Sequence, residues 1–485
     1  MLAKATLYAK LASYMLFVLW GELRRSVRTA LVQRQIRRQS SEVSTPRTRN
    51  IVIVGANFSG HHVAYILTSS LPPDSPYRVV VIEPNSHFQF TWVLPRLCVV
   101  KGHEHKAFIP YGGLVRDNPE GVLRWVTDRV ASVTEKTVHL ENSGEDIPYD
   151  ILVIATGSGV DKGLPSRVNA TDKLAGMKLM QELQQKIELA ETVVVVGGGA
   201  AGVEIATDAK HLYPKKHVIL VHSRDAVMHR FGKGLQKSAL EGLQTLGVEV
   251  ILNERVNDGG RENGAIVLRS GRKVSCDLVK PSSQVIESLV PTAISPSGHI
   301  KVKETLQIDA AHVPNVYACG DVADTHTPNP NARSAMRQAT VVAENVLLVT
   351  QGKEPKHKYT NLWADGVIKL TLGLDRSVTH LGDGKSELLF QGKETDEALM
   401  SAMCWSRMGQ KPFEDPYMAK TEPDATSVAL NLLDTSKVVR TYDTRYGTSS
   451  RVKHPKHALS RHAQWFALRA HALKLSDICL VTVGS

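Results

Sequence analysis

Cysteine is scarce in this chain, with five residues among 485, and no two of them stand in a C-x-x-C or another metal-ligand spacing. Scattered cysteines argue against a disulfide framework and a zinc site, and they favour a reducing, intracellular compartment. Long apolar runs are also missing, because the uncharged block at residues 11–20 is shorter than the roughly 20 residues that a membrane span needs. What remains is the composition of a globular protein of about two to four domains.

Acidic residues are rare in the first 50 positions, which hold ten Lys or Arg against Glu22 and Glu42. This segment therefore carries +8 of the formal net charge of +11. A basic excess confined to one segment argues against specific nucleic-acid binding by the fold. Residues 1–49 are open to two main interpretations, an Arg-rich mitochondrial presequence or an interfacial helix on an anionic membrane, with a basic tail as the third. We expect a location in cytoplasm or mitochondrion, with peripheral membrane association.

The clearest motif follows a β-branched run at residues 192–196 and reads Gly197-Gly-Gly199-Ala-Ala-Gly202. This G-x-G-x-x-G pattern, between a strand and a helix, is typical of a dinucleotide-binding βαβ unit. Gly197 makes the tight turn, Gly199 lets the backbone approach a pyrophosphate, and Gly202 lets helix and strand pack closely. The positive end of the helix then faces the phosphates.

The strand at residues 218–221 runs into His222, Ser223 and Arg224. An NAD site usually offers an acid here to the ribose 2′-hydroxyl, whereas this chain offers none. Without that carboxylate, and with Arg224 able to pair with a 2′-phosphate, the site is predicted to accept NADPH as well as NADH. The alternative is that Arg224 only faces solvent.

A related turn opens the fold at Gly55-Ala-Asn57-Phe-Ser-Gly60, after a strand at residues 51–54. Asn57 replaces the middle glycine, and Asn tolerates left-handed backbone better than other non-glycine residues, so the turn stays feasible. Glu83 stands 23 residues after Gly60, at the end of a strand at residues 79–82. A carboxylate in this register can hold an adenosine ribose, although an exposed strand-end acid is the plainer alternative.

Two further strands end in small or acidic residues. Residues 151–157 end in Ala155-Thr156-Gly157, and residues 315–321 end in Gly320-Asp321. Gly320 permits a close approach, and Asp321 can accept hydrogen bonds from the ribityl hydroxyls of a flavin. Together with the two glycine turns, these strand ends predict one FAD site and one site for NADH or NADPH.

This order of motifs predicts an α/β fold. We expect two Rossmann-like, three-layer dinucleotide-binding domains, with the NAD(P) domain inserted in the FAD domain, plus a small α+β C-terminal domain. The predicted boundaries are 1–49 for the basic segment, 50–165 and 291–355 for the two parts of the FAD-binding domain, 166–290 for the NAD(P)-binding domain, 356–412 for the C-terminal domain and 413–485 for an extension of unknown role. In that extension, His454, His457 and His462 have no regular spacing, which argues against a metal site.

These motifs resemble the two-dinucleotide-binding pyridine-nucleotide oxidoreductase superfamily over roughly residues 50–405. Within it the chain looks most like the apoptosis-inducing-factor-like and ferroptosis suppressor protein group, in a fungal form. The matching stretches are residues 86–90, 95–96, 103–111, 212–215 and 220–224. The resemblance implies a non-covalent FAD that NADH or NADPH reduces, a quinone-like acceptor, and activity at membranes.

The resemblance also implies roles for single residues. Arg96 and Lys106 would lie near the flavin, Val130 near the adenine, and Glu204 near the nicotinamide. Lys106 could stabilise the anionic reduced flavin, because a buried cation lowers the energy of a nearby negative charge. Glu204 and Lys106 are therefore the candidate catalytic residues.

The chain departs from the family where a second strand should end in Cys-Thr-Gly, because residues 277–285 read Asp-Leu-Val-Lys-Pro-Ser-Ser-Gln-Val instead. A backbone segment beside the cofactors is thus expected to be shortened. A disulfide reductase of this fold would need two cysteines against the flavin, and Cys98 has no companion in sequence. The rival function is a redox-responsive, apoptosis-inducing-factor-like signalling flavoprotein with little turnover.

Overall fold

The computed structural model describes residues 2–39, 46–113, 121–160, 164–165, 167–254, 256–262, 265–268, 273–274, 279–415 and 478–482. The three histidines at 454, 457 and 462 lie outside these ranges. Contacts divide the chain into one unit of residues 1–413 with 478–485 and a second unit of residues 414–477. Within the described ranges, no helix is both long enough and apolar enough to cross a membrane.

The first unit combines α-helices with strands. The helices are α1 (Leu2–Gln39), α2 (Phe58–Ser70), α3 (Leu94–Leu97), α4 (Lys173–Leu189), α5 (Ala200–Leu212), α6 (Lys233–Leu246), α7 (Ala332–Val349) and α8 (Ser401–Arg407). The strands are β1 (Arg49–Val54), β2 (Tyr77–Ile82), β3 (His87–Gln89), β4 (Phe108–Pro110), β5 (Leu123–Val126), β6 (Val130–Val133), β7 (Thr137–Leu140), β8 (Asp146–Pro148), β9 (Ile151–Ile154), β10 (Ser158–Val160), β11 (Thr192–Val196), β12 (His217–Val221), β13 (Glu249–Ile251), β14 (Val256–Glu262), β15 (Ala265–Leu268), β16 (Lys273–Val274), β17 (Val279–Pro281), β18 (Ile300–Lys301), β19 (Val316–Ala318), β20 (Ala323–Asp324), β21 (Ile368–Thr371), β22 (Arg376–Gly382), β23 (Glu387–Lys393) and β24 (Ile478–Thr482).

The first parallel sheet has the strand order β19-β9-β1-β2-β5. Its central strand β1 is buried on both faces, as the apolar run at residues 51–54 predicts for a parallel sheet covered by helices. The helices α2 and α7 pack against each other beside this sheet. The last strand of the sheet, β19, comes from residues 316–318, after the strands β11, β12 and β13 of the second sheet, so the second domain is inserted in the first.

The second parallel sheet has the strand order β13-β12-β11-β24. The strands β11, β12 and β13 follow the predicted βαβ pattern, with α5 and α6 between them. The fourth strand, β24, pairs in parallel with β11 but comes from residues 478–482. No pattern in the sequence predicts this strand, and residues 413–485 are predicted only as an extension of unknown role.

Three of the small antiparallel sheets in the described ranges have three strands each. The sheet β6-β7-β8 directly precedes β9, and β14-β15-β16 follows β13. The alternating pattern at residues 358–381 folds as β21 and β22, and β23 adds a third antiparallel strand. The predicted small sheet therefore extends one strand further than its sequence pattern.

The basic segment forms α1, which contacts the folded body on one side. Leu7 is fully buried against Leu381 and Leu388 of the small C-terminal sheet. Lys10 forms an ion pair with Asp383, and Arg28 Nη1 donates a hydrogen bond to a carboxylate oxygen of α7 at 2.9 Å. On the outer side, a group of large apolar side chains is between 51% and 67% exposed. These are Met15, Leu16, Phe17, Leu19 and Trp20.

Candidate cofactor site

The first glycine turn joins β1 to α2. Gly55 has a φ of +92°, and a β-carbon added there would lie 2.6 Å from the carbonyl oxygen of Ala155. A β-carbon on Gly60 would lie 1.8 Å from the carbonyl oxygen of Gly55. Both positions require glycine, because a side chain on Gly55 would collide with the backbone after β9 and one on Gly60 would push the helix off the turn.

Asn57 begins α2 as its N-cap residue. We expected Asn to be tolerated because it accepts left-handed backbone, but its φ is −81°, in the extended region. The left-handed residue of this turn is Gly55, so Asn57 needs no unusual conformation. Its side-chain oxygen Oδ1 is buried and has no hydrogen-bond partner among the described residues. A buried acceptor without a partner is costly, and a donor from a bound ligand would satisfy it.

Glu83 ends β2 and lies against the same turn. Its Oε2 accepts a hydrogen bond from the backbone N–H of Ala56 at 2.6 Å, and Oε1 accepts one from Asn85 N–H at 2.8 Å. The side chain is 3% exposed, and this burial raises the pKa of Glu83. The carboxylate therefore braces the glycine turn and also lines the cavity beside it.

Two positive-φ glycines end the neighbouring strands. Gly157 has a φ of +66° after β9, and Gly320 has a φ of +82° after β19. The Gly320 N–H donates to Oε1 of Gln338, on α7, at 2.8 Å. Asp321 Oδ2 accepts a hydrogen bond from Arg167 Nη2 at 2.8 Å. Sequence reasoning missed Arg167, because it stands 154 positions from its partner and belongs to no motif.

A cavity of about 660 Å³ lies at this edge of the first sheet. It has the size of a small-molecule site, which is typically about 300–1,000 Å³. Of the predicted site residues, the following line it: Gly55, Asn57, Glu83, Val130, Ala155, Thr156, Gly157, Glu204, Gly320 and Asp321. The remaining ones lie elsewhere: Gly60, Arg96, Lys106, Gly197, Gly199, Gly202, His222 and Arg224.

The altered segment near Lys280 also reaches this cavity. The strand β17 pairs antiparallel with β10, with Lys280 opposite Gly159. Thr156 Oγ1 donates to the carbonyl oxygen of Ser282 at 2.7 Å, and Ser282 N–H donates to the carbonyl oxygen of Gly157 at 2.9 Å. These contacts place the backbone after β17 along the cavity wall, despite the missing Cys-Thr-Gly pattern.

The second glycine turn joins β11 to α5. Gly197 has a φ of +115°, and a β-carbon on Gly202 would lie 1.9 Å from the Gly197 carbonyl oxygen. Gly199 is the N-cap of α5, and a β-carbon added there would meet no atom within 4 Å. The turn thus repeats the geometry of the first one and leaves open space at the positive end of the helix, which suits a pyrophosphate.

His222 packs under this second turn. Its Nδ1 accepts a hydrogen bond from the Gly198 N–H at 3.0 Å, and its Nε2 lies 3.3 Å from Nδ1 of His229. Burial, together with His229, lowers the pKa of His222 to about 4, so the ring is neutral. Arg224 follows in the same loop and its side chain is exposed. His222 therefore supports the turn, while Arg224 is accessible to a ligand.

Glu204 is the side chain of α5 that reaches the cavity. Its Oε1 accepts hydrogen bonds from the backbone N–H of Thr371 at 3.1 Å and from the Thr371 hydroxyl at 3.2 Å. Burial raises the pKa of Glu204 to about 7, and the nearby Asp208 carboxylate adds to the shift. The group is therefore close to half ionised at neutral pH.

Arg96 lies next to this helix but not on the cavity wall. Its Nε donates to Asp208 Oδ2 at 2.7 Å, and its Nη2 donates to the Gly373 carbonyl oxygen at 3.0 Å. Arg96 is 1% exposed and Asp208 is fully buried. This ion pair joins α3, α5 and the small C-terminal sheet. Sequence reasoning missed Asp208, although its spacing of four residues from Glu204 puts both on one face of α5.

Lys106 also lies away from the cavity wall. Its Nζ sits 4.7 Å from the centre of the Phe413 ring, and its backbone oxygen accepts a hydrogen bond from Trp405 Nε1 at 3.0 Å. These contacts tie the chain around Lys106 to the helix α8 and the segment after it. The role beside the flavin that the resemblance implies stays a prediction.

Cys98, Cys319 and Cys404 take no part in this site. Cys98 and Cys319 are buried, Cys404 is half-buried, and all three are free thiols outside the cavity lining. Burial raises the pKa of each thiol above its usual range. Within the same ranges, no group of three His, Cys, Asp or Glu side chains is arranged to hold a metal ion.

The cavity extends from the first glycine turn to the start of the helix after the second. This arrangement is typical of oxidoreductases that use FAD and a pyridine nucleotide, and it defines the class of this protein. Residues 49–342 match the family model of pyridine nucleotide-disulphide oxidoreductases, and the chain belongs to this family. It is 31% identical to Fe-regulated protein 8 of Mycosarcoma maydis over 388 residues, which cover 74% of this chain and 95% of that protein.

The chain is also 30% identical to ferroptosis suppressor protein 1 of Xenopus tropicalis over 393 residues, 76% of this chain and 98% of that protein. The sulfide:quinone oxidoreductase of Aquifex aeolicus has the same fold, with a TM-score of 0.56 at 18% identity over 74% of this chain and 90% of that one. The predicted fold class, the resemblance to the ferroptosis suppressor group, and FAD with NADH or NADPH as cofactors are confirmed.

Proposed function

We propose that the protein passes electrons from NADH or NADPH through FAD to a quinone-like acceptor. One observation carries the proposal. The cavity that begins at Glu83 and Asn57 runs to Ala200, Ala201 and Glu204, at the start of the helix that follows the second glycine turn. A flavin extended along the first turn and a nicotinamide bound at the second would therefore meet at this end of the cavity.

Bound FAD supplies hydride acceptance and onward electron transfer, and the protein supplies binding and orientation. Glu83 would accept a hydrogen bond from an adenosine ribose, and Val130 would contact the adenine, because both line the cavity. Asp321 would accept hydrogen bonds from the ribityl hydroxyls, either in place of the hydrogen bond from Arg167 or in addition to it. Asn57 Oδ1 offers a buried acceptor that protein donors leave unsatisfied. Glu204 holds a proton near neutral pH where the two cofactors would meet.

The choice of a quinone-like electron acceptor follows from the cysteines, the apolar wall of the cavity and the family resemblance. A dithiol acceptor would need two cysteines against the flavin, and Cys98, Cys319 and Cys404 lie outside the cavity. Trp92 and Pro95 give the cavity an apolar part, and Trp92 is 46% exposed. Flat apolar molecules such as quinones suit a wall of this kind. The resemblance to the ferroptosis suppressor group points to the same class of acceptor.

Purified protein tests this directly. We expect a yellow protein whose flavin absorbance is bleached by NADH or NADPH and recovers rapidly when a short-chain quinone is added. Flavin that bleaches but recovers no faster with quinone than with buffer would contradict the quinone acceptor. In that case, slow turnover combined with redox-dependent retardation of DNA would favour the signalling flavoprotein.

We further propose that α1 lies on an anionic membrane surface. Its buried side is held by Leu7 and by the ion pair of Arg28 with Glu344, so the helix is built into the fold rather than trailing from it. Its outer side exposes the apolar group from Met15 to Trp20, flanked by basic residues. Apolar burial and attraction to anionic lipid act together on such a helix.

Deletion of residues 1–49 tests the membrane proposal. We expect full-length protein to sediment with vesicles that contain phosphatidylserine and the shortened protein to stay in the supernatant. Unchanged fractionation of the two proteins, both with vesicles and in cells, would remove the membrane and the presequence interpretations together.

A further inference from the structure

The four strands of the second parallel sheet correspond to four of the five strands of the first, and one of these four has a different origin in the chain. In the first domain, the antiparallel sheet β6-β7-β8 leads directly into β9, which lies parallel to β1. In the second domain, the antiparallel sheet β14-β15-β16 leads to β17, which instead pairs antiparallel with β10. None of the described residues between β16 and β18 pairs with β11, so residues 279–299 do not supply the corresponding strand.

The corresponding position is taken by β24. Its five residues pair in parallel with all five residues of β11, from Thr192 opposite Ile478 to Val196 opposite Thr482. Like β1, which has β2 on one side and β9 on the other, β11 has β12 on one side and β24 on the other. A strand that carries a glycine turn is thus paired on both sides in each domain.

The sequences at the two positions are also alike. Residues 150–158 read Asp-Ile-Leu-Val-Ile-Ala-Thr-Gly-Ser, and residues 477–485 read Asp-Ile-Cys-Leu-Val-Thr-Val-Gly-Ser. Both begin with Asp-Ile, continue with small and apolar residues, and end in Gly-Ser at the same spacing. In the first domain, this segment supports the turn, because the Ala155 carbonyl oxygen would lie 2.6 Å from a β-carbon on Gly55.

We propose that residues 478–482 are the missing strand of the NAD(P) domain, and that binding of NADH or NADPH therefore depends on them while binding of FAD does not. Without β24, the strand β11 would become an edge with unpaired backbone groups, and the Gly197 turn would lose its support on that side. The FAD cavity draws on β1, β2, β9 and β19, none of which pairs with β24.

The proposal depends on the proposed function in one respect, namely that the second glycine turn binds NADH or NADPH. Its test uses no quinone. In the full-length holoprotein, hydrogen exchange followed by mass spectrometry should find the amides of residues 478–482 protected to the same degree as those of β13. Exchange of these amides at the rate of an unstructured peptide would overturn the proposal.

A shortened protein that lacks residues 476–485 gives the second test. We expect its FAD content and its reduction by dithionite to match those of the full chain, while the Kd for NADH and NADPH rises by about tenfold or more. A synthetic peptide of residues 476–485 should restore binding, and a scrambled peptide of the same composition should not. Unchanged NAD(P)H affinity in the shortened protein would refute the dependence.

If the shortened protein is insoluble, point variants of the full chain take its place. Leu480→Pro removes a backbone donor from the middle of β24, and Leu480→Val is the matched control because a β-branched residue suits a strand. We expect the proline variant to lose NAD(P)H affinity with FAD retained, and the valine variant to keep both. Equal NAD(P)H affinity of the two variants would count against the proposal, whether or not quinone reduction occurs.

Discussion

Replacement of Glu204 by Gln should remove a pH dependence from the stability of the protein. Glu204 accepts its two hydrogen bonds from Thr371 through Oε1, and the amide oxygen of Gln can accept both in the same way. The variant therefore keeps the local contacts and loses only the ability to ionise. The choice of Gln separates the effect of charge from the effect of shape.

The magnitude follows from the pKa. Folding raises the pKa of Glu204 from 4.5 to about 7, because burial and Asp208 disfavour the carboxylate. The folded state therefore holds this proton more tightly than the unfolded state. The stabilisation is complete below pH 4.5 and is lost as the pH rises through 7, which corresponds to about 3 kcal/mol in the free energy of unfolding.

Urea unfolding of the apoprotein at several pH values between about 4.5 and 8 measures this loss, with circular dichroism as the signal. We expect Glu204→Gln to gain stability relative to the unmodified protein as the pH rises, by about 3 kcal/mol at the upper end. Glu241→Gln, on the exposed side of α6, is the control and should follow the unmodified protein. If the curves of Glu204→Gln and the unmodified protein run parallel over the whole range, the raised pKa is refuted.

Three other substitutions test separate parts of the site. Arg96→Met should destabilise the protein by about 3–5 kcal/mol in urea unfolding, because it leaves the buried Asp208 carboxylate without its partner, and adding Asp208→Leu should recover most of the loss. An equal loss in both variants would contradict this reasoning. Arg224→Ala should lower kcat/KM for NADPH by about tenfold and leave kcat/KM for NADH nearly unchanged, because only NADPH has a 2′-phosphate for a charge-assisted hydrogen bond with Arg224. A strong preference for NADH in the unmodified protein would contradict this expectation. Gly60→Ala should abolish FAD retention, because its β-carbon would lie 1.8 Å from a carbonyl oxygen. Flavin absorbance per protein measures this loss, and Gly366→Ala, whose β-carbon would enter open space, is the control that should retain FAD.

Much of the fold could be predicted because its signals are local. The β-branched runs at residues 51–54 and 192–196 and the glycines that follow them fix strand, turn and helix within a few residues of each other. Glu83 could be found for the same reason, since its position relative to the first turn is set by one helix and one strand. These strands, turns and helices lie at the positions that the sequence pattern predicts, and the cavity forms between them.

Contacts between distant segments could not be predicted in this way. Arg96 is predicted to lie near the flavin, and the structure adds a buried ion pair with Asp208, which lies 112 positions away. Asp321 is predicted to accept hydrogen bonds from a flavin, and the structure adds a hydrogen bond from Arg167. Such pairs depend on which surfaces the tertiary fold brings together, and no periodicity in the sequence records that.

The sequence by itself determined the class of the protein, because two glycine turns at the ends of buried strands have few other uses. The tertiary structure alone decided what completes the second sheet. Strands pair through backbone groups that every residue carries, so the sequence of β11 does not specify its partner. Only the folded chain shows that residues 478–482 take the place beside it that β9 takes beside β1.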